Sequence, residues 1–442
     1  MKSCLLAFVL LIGFIAYSCG STSANSQDDL YLSELADSLG NDFIRLSFNI
    51  GEYDENYVDA YFGPDYLKDE ALAMGLTLVE INIFADSLIA LIEDNIGDYD
   101  KLGSLDKMRI DNLRKFLSSL SARALFLNGV IFPFDNETEL YYDMVAPDYT
   151  LHHYDEILEE LDEAVPGTGT LDSRYDEWSS QFSIPAEKVS VCFNYVLEKA
   201  RAKTKEFIEM PAHESVTVEY VSNKPWGGYN WYQGNSQSLI QINSSGNMNV
   251  NSLITLSTHE CYPGHHLFYT LLDEIYYKER GWTEYSIIPL FSHTAFWAEG
   301  TANYAADVVF PGQDMVDILH DVFEMAGIDT TLAVKYIEIN SIRKKTKFLD
   351  NFCAKNYLDG IMSKEDLAGI YSKYNLSSIG AGLGLLSFVD IYRSYIINYN
   401  LGEQAIRNHI DPENTLSKQE RWERFEEAML NILPPSMVFG DK

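Results

Sequence analysis

Residues 253–272 read Leu-Ile-Thr-Leu-Ser-Thr-His-Glu-Cys-Tyr-Pro-Gly-His-His-Leu-Phe-Tyr-Thr-Leu-Leu, and this stretch decides how the rest of the chain is interpreted. Its apolar residues recur at the three- and four-residue spacing of a helix. Three of the protein's nine histidines, His259, His265 and His266, lie near its centre. Pro263-Gly264 interrupts the helical pattern between the first histidine and the other two. The stretch is therefore predicted to be a helix that is disturbed where its polar residues gather.

The spacing of the histidines differs from that of the zinc-hydrolase motif His-Glu-x-x-His, in which two histidines four residues apart share one helix face. Here His265 follows His259 by six residues, which on an unbroken helix would turn it about 120° away. His266 would return to the same face, but about 10 Å further along the axis, too far to share an ion. A two-residue bulge at Pro263-Gly264 solves this problem, because proline removes a helix hydrogen bond and glycine permits unusual dihedrals. The prediction is metal binding by His259 and His265, with Glu260 as general base, and binding by His266 in place of His265 is the alternative.

A third ligand is needed, because a catalytic zinc ion typically has three protein ligands and one open position. Glu299 is the best candidate, since it lies in the apolar, aromatic segment 296–304, which has the pattern of a second helix. An acid in such surroundings is expected to be paired or bound to metal. Asn303, one turn later, is placed to hold a ligating histidine through its other ring nitrogen. The alternative is an ordinary buried ion pair at Glu299, with structural histidines. The sequence predicts one zinc ion.

These residues resemble the bacterial family called domain of unknown function 885, with its motif His-Glu-x-x-Pro-Gly-His-His and a later Glu-Gly segment. Its members are exported, often lipoproteins, and are regarded as metallopeptidase-like. The resemblance covers roughly residues 216–410 and implies a helical, zinc-metallopeptidase-like fold. It also implies that the family's two histidines and glutamate correspond to His259, His265 and Glu299, and its general base to Glu260.

The oxyanion formed at an attacked carbonyl needs a hydrogen-bond donor besides the metal. The family's late Tyr-x-x-Gly matches Tyr399-Asn-Leu-Gly, so the resemblance makes Tyr399 the first candidate for this catalytic role. Tyr304 and His293 are the alternatives, and Tyr395 lies one turn before Tyr399. Packing is the competing role for any one of the 29 tyrosines. The family's Asp after the Glu-Gly segment is similar to Asp350.

The remaining sequence is mostly helical in pattern, with one short β region. Helical periodicity begins at Leu32 and recurs through roughly 66–94, 105–127, 150–163 and 186–209. Between about residues 214 and 243, alternating residues and Gly-rich turns indicate short strands, and helical periodicity then continues from Val250 to about Asn431. The predicted fold is mainly α, with one small β-sheet beside the active-site helix. Residues 28–442 are predicted to form a single catalytic domain with halves 28–213 and 214–442.

Two further segments are candidates for substrate binding. The strand at 238–243 comes directly before the metal helix and is predicted to be an edge strand that pairs with an extended peptide. Ordinary sheet packing is the alternative. Arg343, Lys344 and Lys345 form a basic cluster that is able to hold a substrate carboxylate, and the alternative is a solvated helix face.

The N-terminus has the features of an export signal. Lys2 precedes an apolar run, residues 5–17, which is shorter than the roughly 20 residues of a membrane-spanning helix. Small residues before Cys19 resemble a lipoprotein cleavage box, so a signal peptide at 1–18, a lipid on Cys19 and a flexible tether at 19–27 are predicted. A plain cleaved signal is the alternative. No acidic run follows Cys19, which favours the periplasmic face of a bacterial membrane over the cell surface.

Composition limits the partners. Asp and Glu number 66 against 32 Lys and Arg, a formal charge of −34, so repulsion opposes nucleic acid and anionic lipid as partners of the protein body. Cys192, Cys261 and Cys353 are well separated, and no disulfide is expected. No protein partner is predicted. The sequence therefore predicts an exported, lipid-anchored zinc peptidase for short peptides. Its rivals are a zinc hydrolase of non-peptide amides or esters and a catalytically inactive surface binding lipoprotein.

Overall fold

The computed structural model describes residues 26–95, 99, 102–224, 226–244 and 248–440. The predicted signal peptide, Cys19 and most of the tether lie outside the described residues. The first eight helices are α1 (Ser26–Gly51), α2 (Asp65–Met74), α3 (Leu78–Asn95), α4 (Ser104–Leu127), α5 (Phe134–Tyr142), α6 (Leu151–Ala164), α7 (Leu171–Ser180) and α8 (Ala186–Phe207).

The helices of the second half surround the histidine-rich stretch. They are α9 (Val250–Leu256), α10 (His265–Leu271), α11 (His293–Val309), α12 (Gln313–Ala326), α13 (Ala333–Lys344), α14 (Leu349–Leu358), α15 (Lys364–Tyr374), α16 (Ile379–Tyr392), α17 (Ile397–Ile410), α18 (Lys418–Leu430) and α19 (Pro435–Phe439). The strands are β1 (Val58–Tyr61), β2 (Ser215–Val221), β3 (Gly228–Tyr232), β4 (Gln237–Asn243) and β5 (Ile287–Pro289). The prediction of a mainly helical fold with a small sheet beside the histidine-rich stretch is confirmed. No helix among the described residues is both long and apolar enough to cross a bilayer.

The helical predictions hold where apolar periodicity is strong. Helix α1 buries Leu39, Phe43 and Leu46 on one face, and each such burial contributes about 1.5–3 kcal/mol. The single helix predicted at 66–94 is wrong, because Gly75 adopts a left-handed conformation (φ 57°) that ends α2 before α3 begins. Helices α5 and α7 were not predicted, since they are short, at 9 and 10 residues.

The predicted β region forms a three-stranded sheet in the order β2-β4-β3. Strand β4 pairs in parallel with β2 and antiparallel with β3. The prediction that residues 238–243 form an edge strand is therefore wrong, because β4 is bonded on both sides. A second sheet, which the sequence did not predict, pairs β1 antiparallel with β5, immediately before α11.

Helix α11 lies between two hydrophobic cores. Trp297 packs in one core with the histidine-rich stretch, and Phe296 packs in the other with α1 and α4. Gly300 of α11 meets Gly402 of α17 so closely that a Cβ on Gly300 would lie 2.8 Å from the carbonyl carbon of Gly402. The two helices therefore cross backbone to backbone, and Glu299 lies beside their crossing.

Candidate metal centre

The chain brings His259 and His265 together by breaking the helix. After α9, residues 257–261 form a π-helical turn, Tyr262 is extended (φ −125°, ψ 128°), and α10 begins at His265. The sequence predicted a two-residue bulge in one helix, whereas the structure has a wide turn and a restart. Pro263 has no N–H for a continuous helix, which explains the break.

Gly264 makes this break possible through its missing side chain. A Cβ at this position would lie 1.9 Å from the carbonyl oxygen of His259 and 2.4 Å from that of Thr258. The restarted helix therefore passes directly over the end of the preceding turn. This close approach brings the rings of His259 and His265 to a centroid distance of 4.5 Å.

His259, His265 and Glu299 form a compact cluster. Each offers one ligand atom, and these atoms all lie within 4.8 Å of one another. Nε2 of His259 is 3.3 Å from Oε2 of Glu299, and Nε2 of His265 is 3.7 Å from Oε1. The structure thus brings together the three residues that the sequence proposed as ligands.

The donor set fits a zinc ion. Two imidazoles and one carboxylate are a ligand set of zinc hydrolases, and ligands of a tetrahedral zinc lie about 3.4 Å apart, close to the spacings seen here. Among the described residues, no group donates a hydrogen bond to the buried Oε2 of Glu299, which is costly in the absence of a ligand. Burial and the charge of His259 lower the pKa of His265 to about 4, so this imidazole is neutral and able to bind a metal.

His266 points away from the cluster and has a different role. Its Nδ1 is 2.8 Å from Oγ of Ser238, and its Nε2 is 3.3 Å from Oε2 of Glu214. Glu214 also pairs with Arg201 at 2.7 Å. His266 therefore anchors the motif to β4 and to the residue before β2.

Glu260 is buried next to the cluster but is not part of it. Its backbone carbonyl accepts a hydrogen bond from Asn230 of β3 at 2.7 Å, whereas its carboxylate has no hydrogen bond to any described residue. Burial raises the pKa of Glu260 to about 7, with a further contribution from the charge of Glu299 and opposition from His259. A carboxylate with such a pKa is suited to accept and return a proton near neutral pH.

Two tyrosines line the other side of the cluster. Tyr395 donates a hydrogen bond of 2.7 Å to Oε1 of Glu299 and thereby orients this carboxylate. Tyr399 packs against Tyr395 at a ring distance of 5.7 Å, and the charges of Glu299 and Glu260 act on its hydroxyl. The predicted Tyr399 therefore faces the site, while the direct contact with a candidate ligand belongs to Tyr395.

The other sequence candidates are engaged elsewhere. Asn303 donates to the backbone carbonyl of Glu299 at 2.9 Å, not to a histidine. His293 hydrogen-bonds Asn112 at 3.0 Å, and the ring of Tyr304 packs under Arg407. Neither His293 nor Tyr304 replaces Tyr399.

The predicted basic cluster is largely neutralised. Lys344 pairs with Asp307 at 3.0 Å, Lys345 pairs with Glu160 at 2.6 Å, and Arg343 donates to the carbonyl of Asn375. These side chains line a cavity of about 1000 Å³, which also reaches Asn303 and Asp350. Burial raises the pKa of Asp350 to about 7, against the charges of Lys347 and Arg343.

One acid beside the cluster was not predicted. Asp59 of β1 keeps part of its surface exposed. Desolvation of its buried part, together with the charges of Glu299 and Glu260, raises the pKa of Asp59 to about 7. The hydroxyl of Tyr269, whose ring stacks on His265, is acted on by the charges of all three carboxylates. Strand β1 has only 4 residues, which is too short for alternating polar and apolar residues to mark Asp59 as part of the site.

Comparisons with known proteins find distant structural similarity. No family model and no curated protein match the chain. A predicted lipoprotein from Colwellia psychrerythraea is 14% identical, with a TM-score of 0.49 over 82% of this chain and 68% of that one. A predicted lipoprotein of unknown function from Shewanella oneidensis is 12% identical, with a TM-score of 0.42 over 82% and 76%. Metallocarboxypeptidase 1 of Trypanosoma cruzi is 11% identical, with a TM-score of 0.41 over 94% and 93%. At these levels the comparisons assign neither a family nor an activity to this chain.

Proposed function

We propose that this protein is an exported, zinc-dependent peptidase that hydrolyses peptide bonds, with short peptides as substrates. The observation that carries the proposal is the convergence of His259, His265 and Glu299. Beside them lies the carboxylate of Glu260, which has no hydrogen bond to any described residue. We also infer membership of the domain-of-unknown-function-885 family from the same residues. The lipid on Cys19 would hold the protein at a bacterial membrane, with the periplasmic face favoured.

The roles of the side chains follow from their positions. A zinc ion held by the cluster would polarise a substrate carbonyl. It would also lower the pKa of water, so that water loses a proton readily and attacks that carbonyl. Glu260 accepts the proton of the attacking water and returns it to the leaving amine. Tyr399 donates a hydrogen bond to the oxyanion, and Tyr395 keeps Glu299 oriented.

No described strand pairs with the outer edge of β3, and this edge supports an extended peptide as substrate. Residues of β3 alternate, and Gly227 accepts from the backbone N–H of Asn243 at 2.8 Å, so odd-numbered residues face β4. Gly228 and Asn230 therefore direct their backbone groups to the opposite side, where an extended peptide is able to pair. A Cβ on Gly228 would lie only 3.4 Å from Oε1 of Glu260, so this edge runs beside the general base.

Metal analysis of the purified protein, combined with a peptide panel, tests the proposal. Wild type should bind one zinc ion per chain, His265→Ala should lose it, and His266→Ala is the matched control that should keep it. Glu260→Gln should keep zinc and lose at least about a hundredfold in kcat. Loss of zinc only in His266→Ala would refute the ligand assignment.

The panel also separates the rival functions. Zinc binding without Glu260-dependent hydrolysis of any substrate would identify a binding lipoprotein. Turnover of other amides or esters, with all peptides inert, would identify a non-peptide hydrolase.

A further inference from the structure

Three aromatic side chains, Trp226, Tyr229 and Trp231, form a row on the outer face of the β2-β4-β3 sheet. The ring centroids of Tyr229 and Trp231 are 4.6 Å apart, and those of Trp226 and Tyr229 are 5.7 Å apart. Trp231 keeps 42% of its surface exposed, more than any other described tryptophan. Exposed apolar side chains that are grouped in this way mark binding surfaces in soluble proteins.

Hydrogen bonds hold this aromatic row in place. Nε1 of Trp231 donates to Oε1 of Gln241 on β4 at 3.1 Å, and Nδ2 of Asn243 donates to the backbone carbonyl of Trp226 at 2.9 Å. Gln241 in turn donates to Oε2 of Glu219 on β2 at 3.2 Å. The rings are therefore oriented before a ligand arrives, which lowers the entropy cost of binding.

The aromatic row begins where β3 passes the general base. A Cβ on Gly228 would lie 3.4 Å from Oε1 of Glu260, and Tyr229 is the next residue along the strand. Side chains alternate between the two faces of a strand, so position 228 faces Glu260 while Tyr229 and Trp231 face the other way. The same edge of β3 thus has the general base on one face and the aromatic row on the other.

A peptide that pairs antiparallel with this edge would place every second side chain on the face of the aromatic row. Because the odd-numbered residues of β3 direct their backbone groups to β4, a peptide residue opposite Tyr229 belongs to a pair without hydrogen bonds. The Cα atoms of such a pair lie about 4.5 Å apart, and their side chains are in contact. The neighbouring peptide residue, opposite Gly228, would instead face Glu260.

We propose that Tyr229 and Trp231 select peptides with an aromatic side chain at one position, the residue next to the one that faces Glu260. This inference rests on the proposed function, which brings the peptide to the edge of β3. An aromatic side chain opposite Tyr229 would contact that ring directly and reach the ring of Trp231 diagonally. An aliphatic side chain of similar size lacks the attraction between ring faces and ring edges, so it would bind less tightly.

The test uses a neutral hexapeptide of alanine and serine in which one phenylalanine or one leucine is moved through every position. For wild-type zinc enzyme, kcat/KM should be about two- to tenfold higher with phenylalanine than with leucine at one position only, the range of one aromatic pair. Tyr229→Leu and Trp231→Leu should each bring this ratio close to one. The ratio does not depend on the fraction of active enzyme, so partial misfolding of a variant has no effect on it.

Thr217→Ala is the matched control. Thr217 is exposed on the same face of the sheet and lies directly across it from Trp231, because both residues are in register with Leu239 of β4. Its distance from the outer edge of β3 is two strand spacings, about 10 Å, so this variant should keep the wild-type ratio.

Two results would overturn the inference: equal kcat/KM for phenylalanine and leucine at every position in wild type, or a preference that persists in both leucine variants. Calorimetry with zinc-loaded Glu260→Gln separates this inference from the proposed function. Tighter binding of one phenylalanine peptide than of its leucine counterpart, lost on adding Tyr229→Leu, would retain the aromatic subsite even if no peptide is hydrolysed. Equal binding of the two peptides, or a difference that Tyr229→Leu leaves intact, would reject it.

Discussion

Replacing Gly264 by alanine tests the claim that a close backbone approach assembles the metal centre. The new Cβ would lie 1.9 Å from the carbonyl oxygen of His259, whereas real Cβ contacts essentially never fall below 3.0 Å. The backbone must therefore move by about 1 Å, several times the tolerance of roughly 0.2 Å in zinc–ligand distances. We expect zinc affinity to fall by more than tenfold, with a loss of about 1–3 kcal/mol in the free energy of unfolding.

Zinc affinity is measured by competition with a chromogenic chelator, and stability by denaturant unfolding of the metal-free protein. Gly384→Ala is the matched control, because Gly384 lies inside α16 with no atom within 4 Å of its added Cβ. That variant should keep its zinc affinity and be as stable as wild type or more so. Unchanged zinc affinity in Gly264→Ala would refute the argument from close approach.

Three further changes have expected outcomes. Tyr395→Phe removes the hydrogen bond to Glu299, so zinc affinity in the chelator assay should fall by about tenfold and the free energy of unfolding should fall by about 1.5–3 kcal/mol. Burial alone would raise the pKa of Glu214, but hydrogen bonds from His266 and other donors hold this pKa well below its usual range. Glu214→Gln should therefore cost about 3 kcal/mol of unfolding free energy at pH 7, and the difference should narrow as the pH falls from 5 to 3. The pKa of Asp350 is instead raised to about 7 by burial, so the wild type should lose stability between pH 4 and 7. Asp350→Asn should be more stable than wild type by up to about 4 kcal/mol at pH 8, because each unit of pKa shift corresponds to about 1.4 kcal/mol, and nearly equal at pH 4. Equal urea midpoints of the two proteins at both pH values would contradict this.

The candidate site was predictable where local chemistry determines it. An unbroken helix would keep both His265 and His266 from sharing an ion with His259, and Pro263-Gly264 supplies the break that brings one of them back. The sequence left the choice between the two open, and the structure places His265 in the cluster. Glu299 was recognisable because an acid is unusual in an apolar helix. These inferences needed only the sequence near each residue.

The remaining features depend on contacts between distant segments. Asp59 lies on a four-residue strand whose partner β5 comes far later in the chain, so no local pattern identifies it. The edge position of β4 was expected because, in zinc hydrolases of this kind, the strand before the metal helix pairs with the substrate. Strand β3 instead pairs with one side of β4, and β2 pairs with the other side. Tyr395 and Tyr399 share a helix face, and only their packing determines which of them contacts Glu299.

The crossing of Gly300 and Gly402 has a mechanical consequence for the candidate site. Because backbone contacts backbone where α11 and α17 cross, the two helices have no room to approach further, and Glu299 and Tyr399 lie within one helical turn of this contact along the chain. These two helices are therefore expected to move as a unit, and any change that separated them would have to break this backbone contact.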